Sequence, residues 1–114
     1  MGDILLRIVE GARIALYRAP GSEIAENIPT RTDLFRYDGG YGWGYGGTGA
    51  NALSFAIAGK IYEYYDLKPA ELATRARLML DHVISTLDPD QEHTLSVLCL
   101  RQLAVDGQRT DSVP

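Results

Sequence analysis

"GGYGWGYGGTGAN", residues 39–51, sets seven glycines and three aromatic rings in thirteen positions, directly ahead of a segment with helical period. Two readings compete for it. "GWGYGG" (42–47) and the overlapping "GYGGTG" (44–49) both satisfy G-x-G-x-x-G, and a glycine run that opens a helix can hold an anion on its backbone N–H groups. A run this dense in glycine meets that spacing by arithmetic, however. The dinucleotide fingerprint also requires a strand–turn–helix–strand unit and an acidic residue ~20 positions on, whereas here one helical segment leads into another. No lysine precedes Thr48, so the P-loop pattern is not met either. In the second reading the run is scaffold. Glycine permits positive φ and close backbone approach, and Tyr41, Trp43 and Tyr45 alternate so as to share one side of an extended segment. There they would cover the sheet or the first helix with a large apolar area. Scaffold is the expected role.

Downstream the period is helical. Thr48 is suited to N-cap a helix reaching about Asp66. Leu53, Ile57, Ile61 and Tyr64 form one apolar face, and Phe55, Ala58, Tyr62 and Tyr65 form a second. A helix apolar on two sides is either sandwiched inside the domain or shared with a partner, and the central position is the expectation. A second helix starts at Pro69, which suits the first helical position. Its inward face is Leu72, Ala76, Met79, Leu80, Val83, Ile84 and Leu87. A third begins either at Asp88, in a capping-box-like start with Gln91, or at Ser96 with 88–93 as a loop. "TLSVLCL" (94–100) also reads as a strand, because period does not settle a short apolar run. Cys99, the single cysteine, lies four residues from both Leu95 and Leu103 and is expected in the core; a reactive thiol needs an exposed, positive setting.

Upstream, "ILLRIVEGARIALYR" (4–18) reads as two strands around a turn at Glu10–Gly11. "APGSE" (19–23) is turn chemistry, Ile24–Ile28 a short edge segment ended by Pro29, and "TRTDLFRY" (30–37) a weaker strand. The fold expected is α+β: a small antiparallel sheet from the N-terminal third, packed on two to three helices and joined to them by the glycine–aromatic loop. Residues 1–105 form the single domain, and 106–114 form a tail with nothing to bury, expected to be disordered.

Composition narrows the function. Eleven basic residues stand against fifteen acidic ones, for a formal charge of −4. Binding phosphates of nucleic acid requires clustered positive charge, so no direct nucleic-acid partner is expected. No apolar run approaches the ~20 residues of a membrane span, and no signal peptide is read at the start, so the expected location is cytoplasmic. His82 and His93 are isolated, and no C-x-x-C or H-x-x-x-H spacing occurs. A metal site needs three or four converging ligands; neither metal nor cofactor is expected.

"GYGWGYGGTGANALSFAI" (40–57) is similar to the motif of the DUF6166 family, small bacterial and phage proteins of unknown function. There an aromatic-W-G-Y-G-G-[ST]-G-P run leads into an Ala/Leu-rich helix. "HVISTLDPDQEHTLSVLCLRQL" (82–103) resembles the family's C-terminal pattern, in which a "WTLT"-like segment introduces the last helix; this favours Ser96 as its start. Ala50 stands where the family has Pro, and His93 where it has Trp. The resemblance, together with small size and acidity, implies a non-enzymatic interaction protein encoded by a phage or other mobile element. Its concrete form is an inhibitor of a host defence complex, such as an anti-CRISPR. The expected partner-binding or self-association residues are Phe55, Tyr62 and Tyr65, with Lys60 and Asp66 as polar rim. The alternative is a small anionic ligand or nucleotide held by Arg31 and Arg36 with Gly46, Gly47 and Thr48 at the helix start.

Overall fold

Apolar alternation on both sides of Glu10–Gly11 gives the first two strands. In the computed structural model, which describes residues 1–37 and 39–103, β1 (Asp3–Val9) and β2 (Ala12–Arg18) pair antiparallel from Val9↔Ala12 to Asp3↔Arg18. Glu10 and Gly11 take φ of 52° and 83°, the two positive values that a tight primed turn requires to match the strand twist. β3 (Ala25–Asn27) adds to β2 at the expected edge segment. The sheet then departs from an N-terminal origin. β4 (His93–Ser96) pairs antiparallel with Asp3–Leu6, completing the order β3-β2-β1-β4.

"TLSVLCL" is thus part strand and part helix. It changes at Ser96, whose Oγ accepts the Cys99 N–H at 3.3 Å as an N-cap does. The helix, α3, is described over 97–103. Its start at Ser96 rather than Asp88 leaves 88–92 as a loop, in which the Asp88 carboxylate accepts the Asp90 N–H. The proposed tail 106–114 lies outside the described residues.

Residues 30–37 form no strand. The N–H groups of Leu34 and Phe35 both donate to Arg31 O, at 2.9 and 3.0 Å. Adjacent apolar residues in a strand point to opposite faces, whereas in this turn Leu34 and Phe35 both pack on the next helix.

That helix, α1 (Thr48–Ile61), has nine of its fourteen residues buried, spread around its circumference. It is the central element. Gly47, not Thr48, is its N-cap; Thr48 is the first helical residue. The helix stops at Ile61 rather than Asp66, and Tyr65 N–H closes a turn on Tyr62 O as the chain reverses. α2 (Pro69–His82) starts as expected, with Lys68 extended before the proline and Glu71 accepting the Lys68 N–H at 3.1 Å. It ends at His82 instead of Leu87, passing into a 3₁₀ turn at Ile84–Thr86 that keeps Ile84 in the core. The Ile84 carbonyl is thereby freed from a helical ladder, and it accepts the Gly44 N–H at 2.8 Å.

The core joins the inner sheet face (Ile4, Leu6, Ala15) to Leu53 and Ile57 of α1 and to Met79 and Leu80 of α2, with Trp43 among them. Trp43 is fully buried, and its Nε1–H donates to Gln91 O at 3.0 Å. Tyr41 is half-buried and donates its hydroxyl to Ile28 O; burial raises its pKa. Tyr45 does not join them as alternation implied. It is half-exposed and folds back over the glycines of its own loop.

Equilibrium denaturation checks this scaffold. Trp43→Ala is expected to lose about 3–5 kcal/mol. Gly44→Ala is expected to lose more than ~1 kcal/mol, because Gly44 has φ of 87° and an added Cβ would lie 2.6 Å from Leu87 O. Gly46→Ala, where a Cβ meets nothing within 4 Å, should change stability by less than ~0.5 kcal/mol.

Candidate functional site

The end of α1 divides the three aromatics expected to share a surface. Phe55 stacks on Phe35, with centroids 5.5 Å apart and planes 14° from parallel, so it is half-buried within the chain. Tyr62 forms the C-cap of α1 and is 8% exposed. It lies under the guanidinium groups of Arg75, at 5.2 Å, and Arg101, at 5.7 Å. Neither ring offers the free face that helical spacing suggested. Tyr65 does: it is 51% exposed, edge-on to Tyr62 at 5.4 Å, with Arg101 4.7 Å above its ring. Helical spacing sets Tyr64 on one apolar face with Leu53, Ile57 and Ile61. Because the helix stops before it, Tyr64 projects outward and is 93% exposed.

A cleft of about 430 Å³ opens beside this tyrosine pair, between the β2–β3 end of the sheet, the end of α1 and α3. Its walls include Tyr17, Glu26, Lys60, Tyr64, Val97 and Arg101. The Lys60 ammonium pairs with Glu26 and, at 3.2 Å, with Glu63, and sits 5.1 Å over the Tyr17 ring. The hydrogen bond to Glu26 is the main cause holding its pKa above the ordinary lysine value. Lys60 is therefore a locked strut rather than a loose rim residue. Asp66, the other rim residue, is exposed.

The sequence reading missed Arg101, Tyr17 and Glu26, which come from α3 and from the paired strands β2 and β3. One signal was available: Arg101 is the lone charge in the apolar run "LSVLCLRQL" (95–103).

The anion pocket is not assembled. Arg31 makes a two-pronged pair with Asp33, at 2.9 and 2.8 Å. That contact raises the arginine pKa and lowers the aspartate pKa. The Arg31 guanidinium packs over Gly59, eleven residues along α1 from Thr48, or ~16 Å at helical rise. Arg36 is exposed in the same turn. At the loop itself, Tyr45 occupies the space that an anion cradle needs. A Cβ on Gly42, Gly47 or Gly49 would strike its ring or hydroxyl. The Asn51 amide donates to Gly47 O at 3.0 Å and Gly46 O at 3.3 Å, tying the turn closed.

Other polar groups are placed apart. His93 sets Nε2 2.9 Å from Asp88 O and its ring edge-on to Trp43, while His82 faces solvent on α2. Cys99 is exposed, against the expectation of burial. With the helix beginning at 97, Val97 and Leu100 take the inward positions, and Leu98 and Cys99 turn outward. Among the described residues no group of three or more His, Cys, Asp or Glu side chains could hold a metal ion. Among them, too, no helix is long and apolar enough to cross a membrane. No family model, curated protein or solved structure matches this chain.

Native protein should react with a thiol reagent at a rate close to that of the unfolded chain, and strong protection of Cys99 would contradict its exposure. For Lys60 the sign follows from the raised folded pKa. Its stabilisation is complete below the ordinary lysine value of 10.5 and is lost as pH rises through the folded value. The stability deficit of Lys60→Met relative to the wild type should stay constant from about pH 7 to 9 and shrink above the ordinary value, as measured by urea denaturation.

Proposed function

We propose that this chain is a non-enzymatic protein-interaction module that works through the exposed pair Tyr64–Tyr65 and the adjacent Arg101. The observation that carries the reading is Tyr65 held half-exposed between Tyr62 and Arg101. A ring fixed in place loses little entropy on docking, and tyrosine and arginine are the side chains enriched at interface hot spots. The dispersed His82, His93 and Cys99 favour binding over catalysis. The similarity of 40–57 to DUF6166 supports a phage or mobile-element origin. It also supports action in the host cytoplasm, with inhibition of a defence complex such as CRISPR interference as the concrete form.

The test is Tyr64→Ser combined with Tyr65→Ser. Folding, followed by denaturation, should drop by no more than about 1 kcal/mol, since both rings are largely at the surface. Affinity capture of host complexes by the tagged chain, and self-association by sedimentation, are read in parallel. Lost association with intact folding supports the proposal. Association unchanged by the double substitution overturns it.

A further inference from the structure

Guanidinium groups in proteins are commonly matched to carboxylates, which accept their N–H donors in pairs. Among the described residues Arg18 meets Asp3, Arg31 meets Asp33, and Lys60 meets both Glu26 and Glu63, while Arg7 and Arg13 bond to backbone carbonyls and Arg75 lies over Tyr62. Arg101 meets no carboxylate there. Its Nη1 donates to Met1 Sδ at 3.3 Å, and a thioether is a weak acceptor. The group is nevertheless held in place, 4.7 Å from the Tyr65 ring and 5.7 Å from Tyr62. Cation–π attraction of this kind needs no acceptor oxygen, so the donors are positioned without an anionic partner among the described residues. Arg101 also lines the cleft of about 430 Å³, a volume in the range of small-molecule sites.

From this juxtaposition we propose that the cleft binds a small organic anion, a carboxylate or phosphate carried on a flat apolar body. The anionic group pairs with the guanidinium of Arg101. The body lies between the rings of Tyr17 and Tyr64, over the apolar side chains of Ile61 and Val97. The carboxylates of the lining set the orientation: Glu26 and Glu63 share the single charge of Lys60, and the excess negative charge repels an anion toward Arg101. An inorganic anion would leave both rings in water, so the apolar body supplies part of the affinity. This site shares Tyr64 and Arg101 with the proposed interaction surface and goes beyond it in assigning a small-molecule ligand, which asks nothing of the exposed face of Tyr65.

The experiment titrates the native full chain with four probes: phenyl phosphate, benzoate, inorganic phosphate and benzylamine. Binding is read from NMR shifts of the Arg101 side chain and of backbone amides at Tyr17 and Tyr64. Phenyl phosphate and benzoate are expected to shift these signals saturably, with inorganic phosphate weaker. Arg101→Gln should weaken both aromatic anions roughly tenfold or more, the scale of a lost charged hydrogen bond. Tyr64→Ala alters an almost fully exposed side chain and so tests the ring wall even if Arg101→Gln fails to fold; it should weaken binding several-fold. Tighter binding of benzylamine than of benzoate would overturn the proposal in favour of a cation at the Glu26 and Glu63 carboxylates. Absence of saturable shifts with either aromatic anion, or unchanged affinity in Arg101→Gln, would also overturn it. The Tyr64/Tyr65 double serine variant is kept out of this set, so failure here leaves the interaction surface standing.

Discussion

The indole of Trp43 is the point through which the separate parts of this fold are tied. Its nitrogen is satisfied by Gln91 O, and its ring is bounded by Arg13 from β2 at 5.5 Å and by the edge of His93 from β4. Arg13 reaches on to Pro89 O at 2.6 Å. The next residue, Gly44, binds Ile84 O as the chain leaves α2. Trp43 and Gly44 together thus touch the hairpin, the exit of the second helix and the loop that returns the chain to the sheet. A buried indole N–H without a partner would cost about 1–3 kcal/mol. The loop 88–92 is therefore held where it can present a carbonyl.

That constraint explains why glycine is so frequent nearby. Gly44 sits against Leu87 O and Pro89, where no side chain fits. Gly42, Gly47 and Gly49 make room for Tyr45, whose ring closes the loop on itself. The spacing that imitates a phosphate-binding turn is produced by packing an aromatic ring against its own backbone. The same economy of size continues into α1. Gly49, Ala50, Ala52, Ala56, Ala58 and Gly59 let sheet, loop and α2 approach the helix from several sides. A helix surrounded in this way has no polar face, and its amphipathic signal is correspondingly weak.

Where local chemistry decides conformation, the chain was legible. The Glu10–Gly11 turn, the edge segment before Pro29, the proline start of α2 and the central position of α1 each follow from a few adjacent residues. Legibility failed where a distant partner decides. Residues 31–35 turn because Leu34 and Phe35 both find α1. α2 stops early where Gly44 claims the Ile84 carbonyl. Residues 94–100 divide between strand and helix because β1 offers pairing only as far as Ser96. Cys99 was assigned inward by a spacing that holds for a helix beginning earlier, and the shift in helix start reverses its direction. At the site, Tyr65 was readable from composition and position. Arg101, Tyr17 and Glu26 were not, since their meeting depends on how α3 and the β2–β3 end fall against the end of α1.

The two arginine–aromatic clusters show how burial divides structural from functional use of the same chemistry. At the first, Arg13 covers Trp43 and spends a donor on Pro89 O, with the ring fully enclosed. The ring is enclosed and the arginine has a carbonyl acceptor within the chain, and such a cluster specifies one arrangement. At the second, Arg101 covers Tyr65, but its hydrogen bond goes to a thioether and the ring is half in water. The cation is oriented by the stack yet left without a carboxylate among the described residues. Holding a charged group in place while leaving its donors unmatched lowers the cost of receiving an outside partner, because the ordering is done before binding. The first cluster closes the fold, and the second leaves an oriented donor set facing the cleft of about 430 Å³.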